Sequence, residues 1–331
     1  MPYNTSLINT ENILAVSRHN FAKTAIEIFQ YQYLNNTIYR QYCDALHTDV
    51  ASVTHIDRIP FLPISFFKSH KVWAAADVPA QLTFESSGTT GENTSRHHVK
   101  DAAVYESSLL QGFMQFYGDP REYAILALLP SYLERKNASL VHMARVLMEQ
   151  SKHPDNGFYI NEWDQLRQTI VRLEQNGQKI LLLGVTFALL DFAAAYPMSL
   201  QHTIVMETGG MKGRGEERTR GEVHAFFKKQ WKLQQVHSEY GMTELLSQAY
   251  ALRDGLFSPT STMQVFVRDI NDPLDVKATG IGGLNIIDLA NINSCSFIAT
   301  EDIGAIYENG TFEVLGRMDH SILRGCSLMA V

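Results

Sequence analysis

Hydroxyl and glycine residues are concentrated in one short run after a predicted strand. The strand is Gln81-Leu82-Thr83-Phe84, Glu85 follows it, and the run is Ser86-Ser87-Gly88-Thr89-Thr90-Gly91. Glycine reaches backbone angles that other residues avoid, so consecutive amide hydrogens can converge on one point, and the hydroxyls add donors around it. The run predicts a loop that holds an anion, most simply a phosphate. The alternative is a polar surface loop without a ligand.

Two more loops with glycines and acidic residues follow predicted strands further along the chain. The first is Glu207-Thr208-Gly209-Gly210-Met211-Lys212-Gly213-Arg214-Gly215, after a strand at residues 203–206. The second is Ser238-Glu239-Tyr240-Gly241-Met242-Thr243-Glu244, after a strand at residues 233–237. Ligands of open α/β sheets bind at the carboxyl ends of strands. We therefore expect these loops and the hydroxyl run to converge on one ligand.

Apolar segments of strand length alternate with segments of helical periodicity, which predicts a layered α/β fold. A turn is expected at Gly184, with Thr186 as the N-cap of a helix that ends at Ala195. After about residue 248 short strands and turns follow, including turns at residues 280–283 and 308–310, which predicts a smaller β-rich subdomain. Other buried strands are predicted at residues 123–129 and 179–183, and other helices at residues 140–148, 163–173 and 217–229.

The composition is that of a folded protein of the cytoplasm. The chain has 331 residues, 45% of them hydrophobic, which is enough for a sizeable core. Its formal net charge of −7 argues against a nucleic-acid partner, because phosphate backbones select basic surfaces. Cys43, Cys295 and Cys326 form no CxxC pair, so neither a zinc site nor a disulfide framework is expected. The sequence shows neither a secretory signal nor a segment apolar enough to span a membrane.

The common nucleotide and hydrolase motifs do not occur in the sequence. It has no GxxxxGK[ST] and no GxGxxG after a first strand, which argues against a P-loop ATPase and a dinucleotide fold. It also has no GxSxG and no HExxH. His97 and His98 are adjacent, but in a strand they would point to opposite faces, which favours ordinary, partly buried histidines over a shared ligand site.

Four motifs occur in an order that resembles the adenylate-forming (acyl-activating) enzyme superfamily. They are Ser86 to Gly91, Tyr240 to Glu244, Thr300-Glu301-Asp302 and Leu315-Gly316-Arg317-Met318-Asp319. The resemblance covers roughly residues 61–325. Two branches are similar: the phenylacetate-coenzyme A ligases and the acyl-protein synthetases, also called long-chain-fatty-acid luciferin-component ligases. The run Ser95-Arg96-His97 and the compact length make the second branch the closer match.

The resemblance implies both a fold and a reaction. The fold is the layered large N-terminal domain of these enzymes over residues 1–316, with the β-rich subdomain at about 248–316, and residues 317–331 are the hinge and a remnant of the lid. The reaction is ATP-dependent activation of a carboxylic acid, a fatty acid by resemblance, to an acyl-adenylate, followed by transfer to a protein or to another thiol. ATP and Mg²⁺ are the implied cofactors. The alternatives are an aryl- or acyl-coenzyme A ligase and a non-catalytic nucleotide-binding subunit.

The resemblance also implies roles at the phosphate end of the site. Ser86 to Gly91 would surround the β- and γ-phosphates, and Thr243 would donate to the α-phosphate. Glu244 would bind Mg²⁺, which prefers oxygen ligands. The ordinary alternative for Glu244 is a capping or solvated acid.

At the adenosine end, the resemblance implies that Tyr240 and Gly241 flank the adenine together with Gly209 and Gly210. Asp302 would accept both ribose hydroxyls, since a carboxylate has two acceptor oxygens. Arg317 would contact the ribose or the phosphates, although arginines often form plain surface ion pairs.

Some positions depart from the superfamily pattern. Many members have Pro-Lys after the phosphate loop, whereas this chain has Asn93-Thr94, so Arg96 is the nearest cation that could substitute. Asp319 matches the hinge residue of the superfamily, after which a lid domain with a catalytic lysine is implied, but only residues 320–331 follow it. We therefore expect the lid to be absent or truncated and adenylation by this chain alone to be weak.

Two further expectations concern the acyl group. The resemblance implies an acyl-carrying cysteine near the C-terminus, and Cys326 has such a position. The alternative is that Cys326 is simply a small apolar residue packed among its neighbours.

The apolar segment at residues 180–192, with Phe113, Phe116 and Tyr117, could line an acyl pocket. The alternative is that these residues only form the core, because buried strands and helices need no ligand to explain them. The absence of an evident cation for a second carboxylate favours a monocarboxylic acid.

Overall fold

A large mixed sheet forms the centre of the computed structural model, which describes residues 13–75, 78–86, 94–130, 137–209 and 218–318. The strands of these residues are β1 Leu62–Pro63, β2 Leu82–Glu85, β3 Arg96–Val99, β4 Tyr123–Leu128, β5 Gly157–Tyr159, β6 Lys179–Val185, β7 Thr203–Thr208, β8 His237–Tyr240, β9 Ala249–Ala251, β10 Phe257–Pro259, β11 Met263–Arg268, β12 Val276–Lys277, β13 Gly280–Asp288, β14 Phe297–Ile306 and β15 Phe312–Arg317. Strands β2 and β3 form a separate hairpin, and the other strands belong to the main sheet.

The main sheet changes from parallel to antiparallel along its width. Its hydrogen-bonded order is β12-β11-β13-β14-β15-β10-β9-β8-β7-β6-β4-β5, with β1 beside β14. Strands β5, β4, β6, β7 and β8 run parallel to one another, and the direction reverses between β8 and β9. The carboxyl ends of β6, β7 and β8 consequently meet at one edge of the sheet, where ligands of such sheets bind.

Helices connect the parallel strands and cover the sheet. Those of the described residues are α1 Phe21–Asn35, α2 Thr37–Ala45, α3 Phe66–Ser69, α4 Ala102–Tyr117, α5 Ser139–Ser151, α6 Trp163–Gln175, α7 Thr186–Ala195 and α8 Arg220–Trp231. Local sequence sets several of their ends. The Asp101 side chain accepts a hydrogen bond from Ala103 N at the start of α4, and Thr219 and Glu222 form a capping box at the start of α8. Gly118 ends α4 with φ of 77°.

Two large cores hold these layers together. One packs the parallel strands against α4 to α8, and the other packs the N-terminal helices against the antiparallel strands. Strands β4 and β6 are buried along almost their whole length, as expected of parallel strands covered on both faces. The apolar side chains that the sequence offered for an acyl pocket belong to the first core, including Leu183, Leu189, Phe113 and Tyr117.

Three sequence predictions of local structure were wrong. The strand that includes Gly184 does not turn there but continues to Val185, which is the N-cap residue, so Thr186 is the first residue of α7. The buried position of Gly184 explains this, because a Cβ atom there would lie 2.7 Å from Leu189 Cγ. Residues 233–236 are not a strand, and β8 instead runs from His237 to Tyr240, inside the predicted loop.

The third error concerns residues 280–283, which begin β13 and do not form a turn. A Cβ atom at Gly282 would overlap the carbonyl oxygen of Arg268, and one at Gly283 would lie 2.7 Å from Arg268 Cζ. The glycines therefore allow β13 to approach β11 and leave room for a buried guanidinium group. Glycine in a strand and glycine in a turn look alike in a sequence.

Strands β9 to β15 lie in the predicted β-rich region, and they continue the sheet of the parallel strands without a break. Within the part of the chain that the structure describes, no helix is both long enough and apolar enough to cross a bilayer.

Candidate functional site

Ser86, the first residue of the hydroxyl and glycine run, directly follows β2 in the segment that connects β2 to β3. Ser86 N donates to Ser95 O at 3.1 Å, and Ser95 N donates to Ser86 Oγ at 2.9 Å, so these two serines join the two sides of the hairpin. Residues Ser87 to Gly91 lie outside the described residues. Arg96, the cation considered as a substitute for the missing lysine, is exposed and lies 3.4 Å from Glu85 through its Nε atom.

Strand β3 binds the turn that contains Thr243 and Glu244. The buried His97 places Nδ1 2.8 Å from Thr243 O and Nε2 2.8 Å from Asn291 Oδ1. Asn291 Nδ2 donates in turn to Glu244 O at 2.8 Å. Burial lowers the pKa of His97 to about 4. Its neighbour His98 is half-buried on the other face of the strand, as the alternation of a strand predicts.

The Glu244 side chain is buried, with 5% of its residue surface exposed. Burial raises the pKa of Glu244, while a hydrogen bond from Ser95 and the charges of Arg317 and Lys68 act in the opposite direction. Ser95 directly precedes β3, His97 lies on β3 two residues further along, and both are buried. Ser95 therefore contacts the carboxyl group of Glu244, and His97 contacts the backbone of the same turn at Thr243.

Tyr240, Asp302 and Arg317 form a second part of the site. Asp302 and Arg317 are register partners on β14 and β15. Tyr240 Oη donates to Asp302 Oδ2 at 2.8 Å, and Arg317 Nε lies 3.5 Å from Asp302 Oδ1. Arg317 Nη2 also lies 3.7 Å from Glu301 Oε2. Burial raises the pKa of Asp302, and the bond from Tyr240 and the charge of Arg317 oppose this effect.

The end of β7 is anchored to its neighbours. Glu207 is buried, accepts from Ser238 Oγ at 2.7 Å and Thr186 Oγ1 at 2.8 Å, and pairs with Arg220 Nε at 3.2 Å. Burial alone would raise the pKa of Glu207, but these groups and His224 lower it below the ordinary value. Thr186 Oγ1 also donates to Gly209 O at 2.8 Å, and Gly209 has φ of 68°, a conformation that favours glycine. Gly210 lies outside the described residues.

Most of the site residues that the sequence predicted lie in two groups. The structure brings Ser86, Thr243 and Glu244 together through Ser95 and His97. It brings Tyr240 at the end of β8 and Arg317 at the end of β15 to Asp302 in the middle of β14. Gly241 follows β8 directly, and Gly209 follows the adjacent β7. Cys326 and Asp319 lie outside the described residues, so their predicted roles stay predictions.

Three residues of the site, Ser95, His97 and Asn291, were given no role in the site from the sequence. For Ser95 and His97, the only available signal in the sequence is the alternating burial expected along β3 and the residue before it. Their partners could not be predicted, because these are far away along the chain. His97, for example, is 146 residues from Thr243 and 194 residues from Asn291.

The donor set fits Mg²⁺ held jointly by protein and phosphates. Among the described residues, no group of three or more His, Cys, Asp or Glu side chains is arranged to hold a metal ion. A magnesium ion does not need such a cage, because it commonly binds one or two carboxylates together with phosphate oxygens and water. The buried Glu244 carboxyl group could supply such a ligand.

Comparison with known proteins decides the family. The family model for acyl-protein synthetase, LuxE, matches residues 13–330. The chain belongs to the LuxE acyl-protein synthetase family. This match confirms the predicted resemblance and the predicted enzyme class, a ligase of the acyl-protein synthetase type.

Individual relatives agree with the family. The long-chain-fatty-acid–luciferin-component ligase of Aliivibrio fischeri is 23% identical over 339 residues, which cover 92% of this chain and 86% of that protein. The ligase of the same name from Vibrio harveyi is 24% identical over 327 residues, which cover 91% of this chain and 84% of that protein.

Solved structures share the fold. The ATP-bound structure of MatB from Rhodopseudomonas palustris has a TM-score of 0.54 and 16% identity, over 71% of this chain and 47% of that chain. O-succinylbenzoate coenzyme A synthetase (MenE) from Bacillus subtilis, in complex with AMP, has a TM-score of 0.50 and 14% identity, over 71% of this chain and 49% of that chain. These matches confirm the predicted α/β class and the large-domain fold of adenylate-forming enzymes. The chain spans about half the length of the solved structures it matches.

Proposed function

We propose that the protein activates a carboxylic acid of the fatty type with ATP and transfers the acyl group to a protein thiol. The observation that carries this proposal is the arrangement at the sheet edge, where one strand joins the hydroxyl and glycine run to the Thr243–Glu244 turn. The names of the relatives support the acid class, and the description of the family as acyl-protein synthetase supports the protein acceptor. The ATP-bound and AMP-bound neighbours of the same fold support the nucleotide.

At the phosphate end, we assign Ser86 to Gly91 to the β- and γ-phosphates and Thr243 to the α-phosphate. Glu244 would hold Mg²⁺, which supplies positive charge against the triphosphate when it is bound. Since Glu244 is buried and its backbone is bound by Asn291, its carboxyl group is held in place before any ligand arrives. Such preorganisation lowers the cost of stabilising the charge that develops during the reaction.

At the adenosine end, we assign Asp302 to the ribose hydroxyls and Tyr240, Gly241, Gly209 and Gly210 to the adenine. The bonds from Tyr240 and Arg317 orient the Asp302 carboxylate, and each of its oxygens still has a second acceptor position for a hydroxyl group. Arg317 remains largely exposed, so it can turn toward a bound ribose or phosphate.

The reaction proceeds through two substitutions. A carboxylate oxygen of the acid attacks the α-phosphorus of ATP, the bond from that phosphorus to the bridging oxygen breaks, and pyrophosphate leaves. A thiolate then attacks the acyl carbon, the bond to the AMP oxygen breaks, and AMP leaves, while the thiol proton has passed to solvent. The residues of the site mainly position the reactants and stabilise charge, which are the dominant contributions in phosphate chemistry of this kind.

The acyl acceptor is the finer part of the proposal. We assign Cys326 as the residue that receives the acyl group before a partner protein does. A Cys326→Ser variant should lose a covalent acyl label that survives under thioester-preserving conditions but keep acid-dependent use of ATP. If the label remains on the variant, Cys326 is not the carrier. Rapid acyl transfer to coenzyme A instead would favour the coenzyme A ligase.

Trapping with hydroxylamine tests the activation step. The protein is incubated with ATP, Mg²⁺, hydroxylamine and a panel of fatty and aromatic acids, and the hydroxamate product reports activation and chain preference together. Glu244→Gln, which removes a charge at nearly constant shape, should reduce the rate by about 10²-fold. Glu308→Gln, in an exposed turn, serves as the matched control. A Glu244→Gln variant as active as the control would refute the assigned site.

A further inference from the structure

A group of polar residues lies between the sheet and α4, next to the proposed reaction site. Glu239 and Tyr250 are register partners on β8 and β9, and Thr208 on β7 is the register partner of Glu239 on its other side. Gln248 immediately precedes β9 and approaches α4, because its Oε1 atom would lie 4.0 Å from a Cβ atom at Gly112. We call Glu239, Gln248 and Tyr250 the polar triad.

The polar triad contains buried atoms that lack partners. Gln248 Oε1 and Tyr250 Oη are buried and form no hydrogen bond within the described residues, and the same is true of Thr260 Oγ1 beside Gly112. Gln248 is 4% and Tyr250 is 1% exposed. Buried polar atoms without partners are rare in folded proteins, and several in one place call for an explanation. A substrate that brings the missing partner is one such explanation.

Glu239 has one oxygen engaged and one directed toward the site. Thr208 Oγ1 donates to Glu239 Oε2 at 2.5 Å. The other oxygen, Oε1, occupies the space beside Gly241 into which a Cβ atom would project, and Gln248 Cγ borders the same space at 3.7 Å. Glycine at position 241 therefore allows Glu239 Oε1 to lie against the backbone that leads to Thr243. Burial raises the pKa of Glu239 to about 7.

The position of the polar triad relates it to the acyl chain of the substrate. Gly241 lies two residues before Thr243, which we assigned to the α-phosphate, and Thr208 lies directly before Gly209. The carboxylate of the acid must approach the α-phosphate, so the first carbons of its chain must pass close to Gly241. Glu239 Oε1 and Gln248 Cγ are the side-chain atoms that lie on that side of Gly241.

We infer that the polar triad selects an acid whose chain carries a hydrogen-bond donor, a hydroxyl or an amino group, within a few carbons of the carboxylate. This inference rests on the proposed function and specifies its substrate class. Gln248 Oε1 is a buried acceptor without a partner, and ionised Glu239 offers Oε1 as a second acceptor beside it, so a donor on the chain satisfies a group that an unsubstituted chain leaves unpaired. Sites that bond a substrate hydroxyl reject analogues without it far more strongly than apolar pockets reject a missing methylene.

Matched acids test the inference. Hydroxamate formation is measured with unsubstituted, 3-hydroxy and 3-amino acids of equal chain length, and kcat/KM is compared within each set. We expect the hydroxy or the amino acid to exceed the unsubstituted acid by about tenfold or more. Preference for the amino acid indicates an ionised Glu239 that pairs with an ammonium group, and preference for the hydroxy acid indicates a hydrogen bond alone.

Variants then connect the preference to the residue. Glu239→Met removes the acceptors at similar size and should bring the ratio of kcat/KM values close to one, while KM for ATP stays the same. Glu239→Gln keeps an acceptor and should retain selectivity for the hydroxy acid. Ser258→Ala is the control, because Ser258 is the register partner of Tyr250 on the next strand and should leave the ratio unchanged.

The outcomes separate the two proposals. Equal use of unsubstituted and donor-bearing acids by the unchanged protein overturns the inference and leaves the proposed function standing, and this result needs no variant to fold. Selectivity that survives in Glu239→Met also overturns it. If no acid yields hydroxamate and no acid promotes exchange of pyrophosphate into ATP, the proposed function fails, and the inference fails with it.

Discussion

His97 is the residue whose replacement best tests how the site is assembled. Its ring is fully buried, lies 2.8 Å from Thr243 O and 2.8 Å from Asn291 Oδ1, and meets the Phe67 ring edge-on with centroids 5.7 Å apart. A neutral imidazole has one N–H, so His97→Ala removes the hydrogen bond to one of these two acceptors and the contact with the other, and it leaves a buried acceptor without its partner. Such a loss costs about 1–3 kcal/mol.

Part of that cost should appear in catalysis and part in stability. The Thr243–Glu244 turn would lose its link to β3, so the groups assigned to the α-phosphate and Mg²⁺ would no longer be held in register with the phosphate loop. If about 1.4–2.8 kcal/mol of transition-state stabilisation is lost, the rate falls by about 10–100-fold. We expect this loss mainly in kcat, with a smaller change in KM for the acid, because the affected groups face the reacting phosphate.

The assay is pyrophosphate exchange into ATP, combined with urea unfolding of each variant. His98→Ala is the matched control: His98 is the next residue on the same strand, and it bonds Thr83 Oγ1 on the other face at 3.0 Å. His97→Asn, which restores a side-chain donor, should recover part of the rate. Loss of stability in His97→Ala with unchanged kcat, or an equal loss of kcat in His98→Ala, would refute the positioning role.

Three further results are expected. Asp302→Asn removes the charge that Arg317 faces at 3.5 Å, so KM for ATP should rise about tenfold with little change in kcat, and an unchanged KM would contradict the ribose assignment. Gly282→Ala should lower the free energy of unfolding by about 1–3 kcal/mol in urea titrations, because its Cβ atom would overlap Arg268 O, whereas Gly316→Ala, with open space around it, should cost much less. Burial raises the pKa of Glu239 from 4.5 to about 7, so the folded state retains a proton that the unfolded state releases. Stability should therefore decrease as pH rises from about 4.5 to 7, and Glu239→Gln should flatten this decrease; identical slopes in the two proteins would show that Glu239 does not contribute.

The sequence was sufficient to predict most strands and helices in the parallel half of the sheet, but not the short β5 or the correct position of β8. Strong periodicity over residues 140–148 and 163–173 predicted two helices that the structure confirms as Ser139–Ser151 and Trp163–Gln175. Boundaries were less accurate where glycine was involved. Gly184 and residues 280–283 read as turns, but they are strand residues, because glycine also serves where two strands or a strand and a side chain approach closely.

By itself the sequence determined the chemistry that is available: a hydroxyl and glycine run, a Thr243–Glu244 pair, an acid at position 302 and an arginine at position 317, in an order that predicted the family. Which residues position these groups became evident only from the tertiary structure. His97, Ser95, Asn291 and Glu239 acquire their roles from partners in segments that are distant along the chain, and no local pattern encodes such pairings. The physical reason is that burial and hydrogen-bond geometry depend on how distant segments pack, whereas periodicity and motif spacing report only on neighbours along the chain.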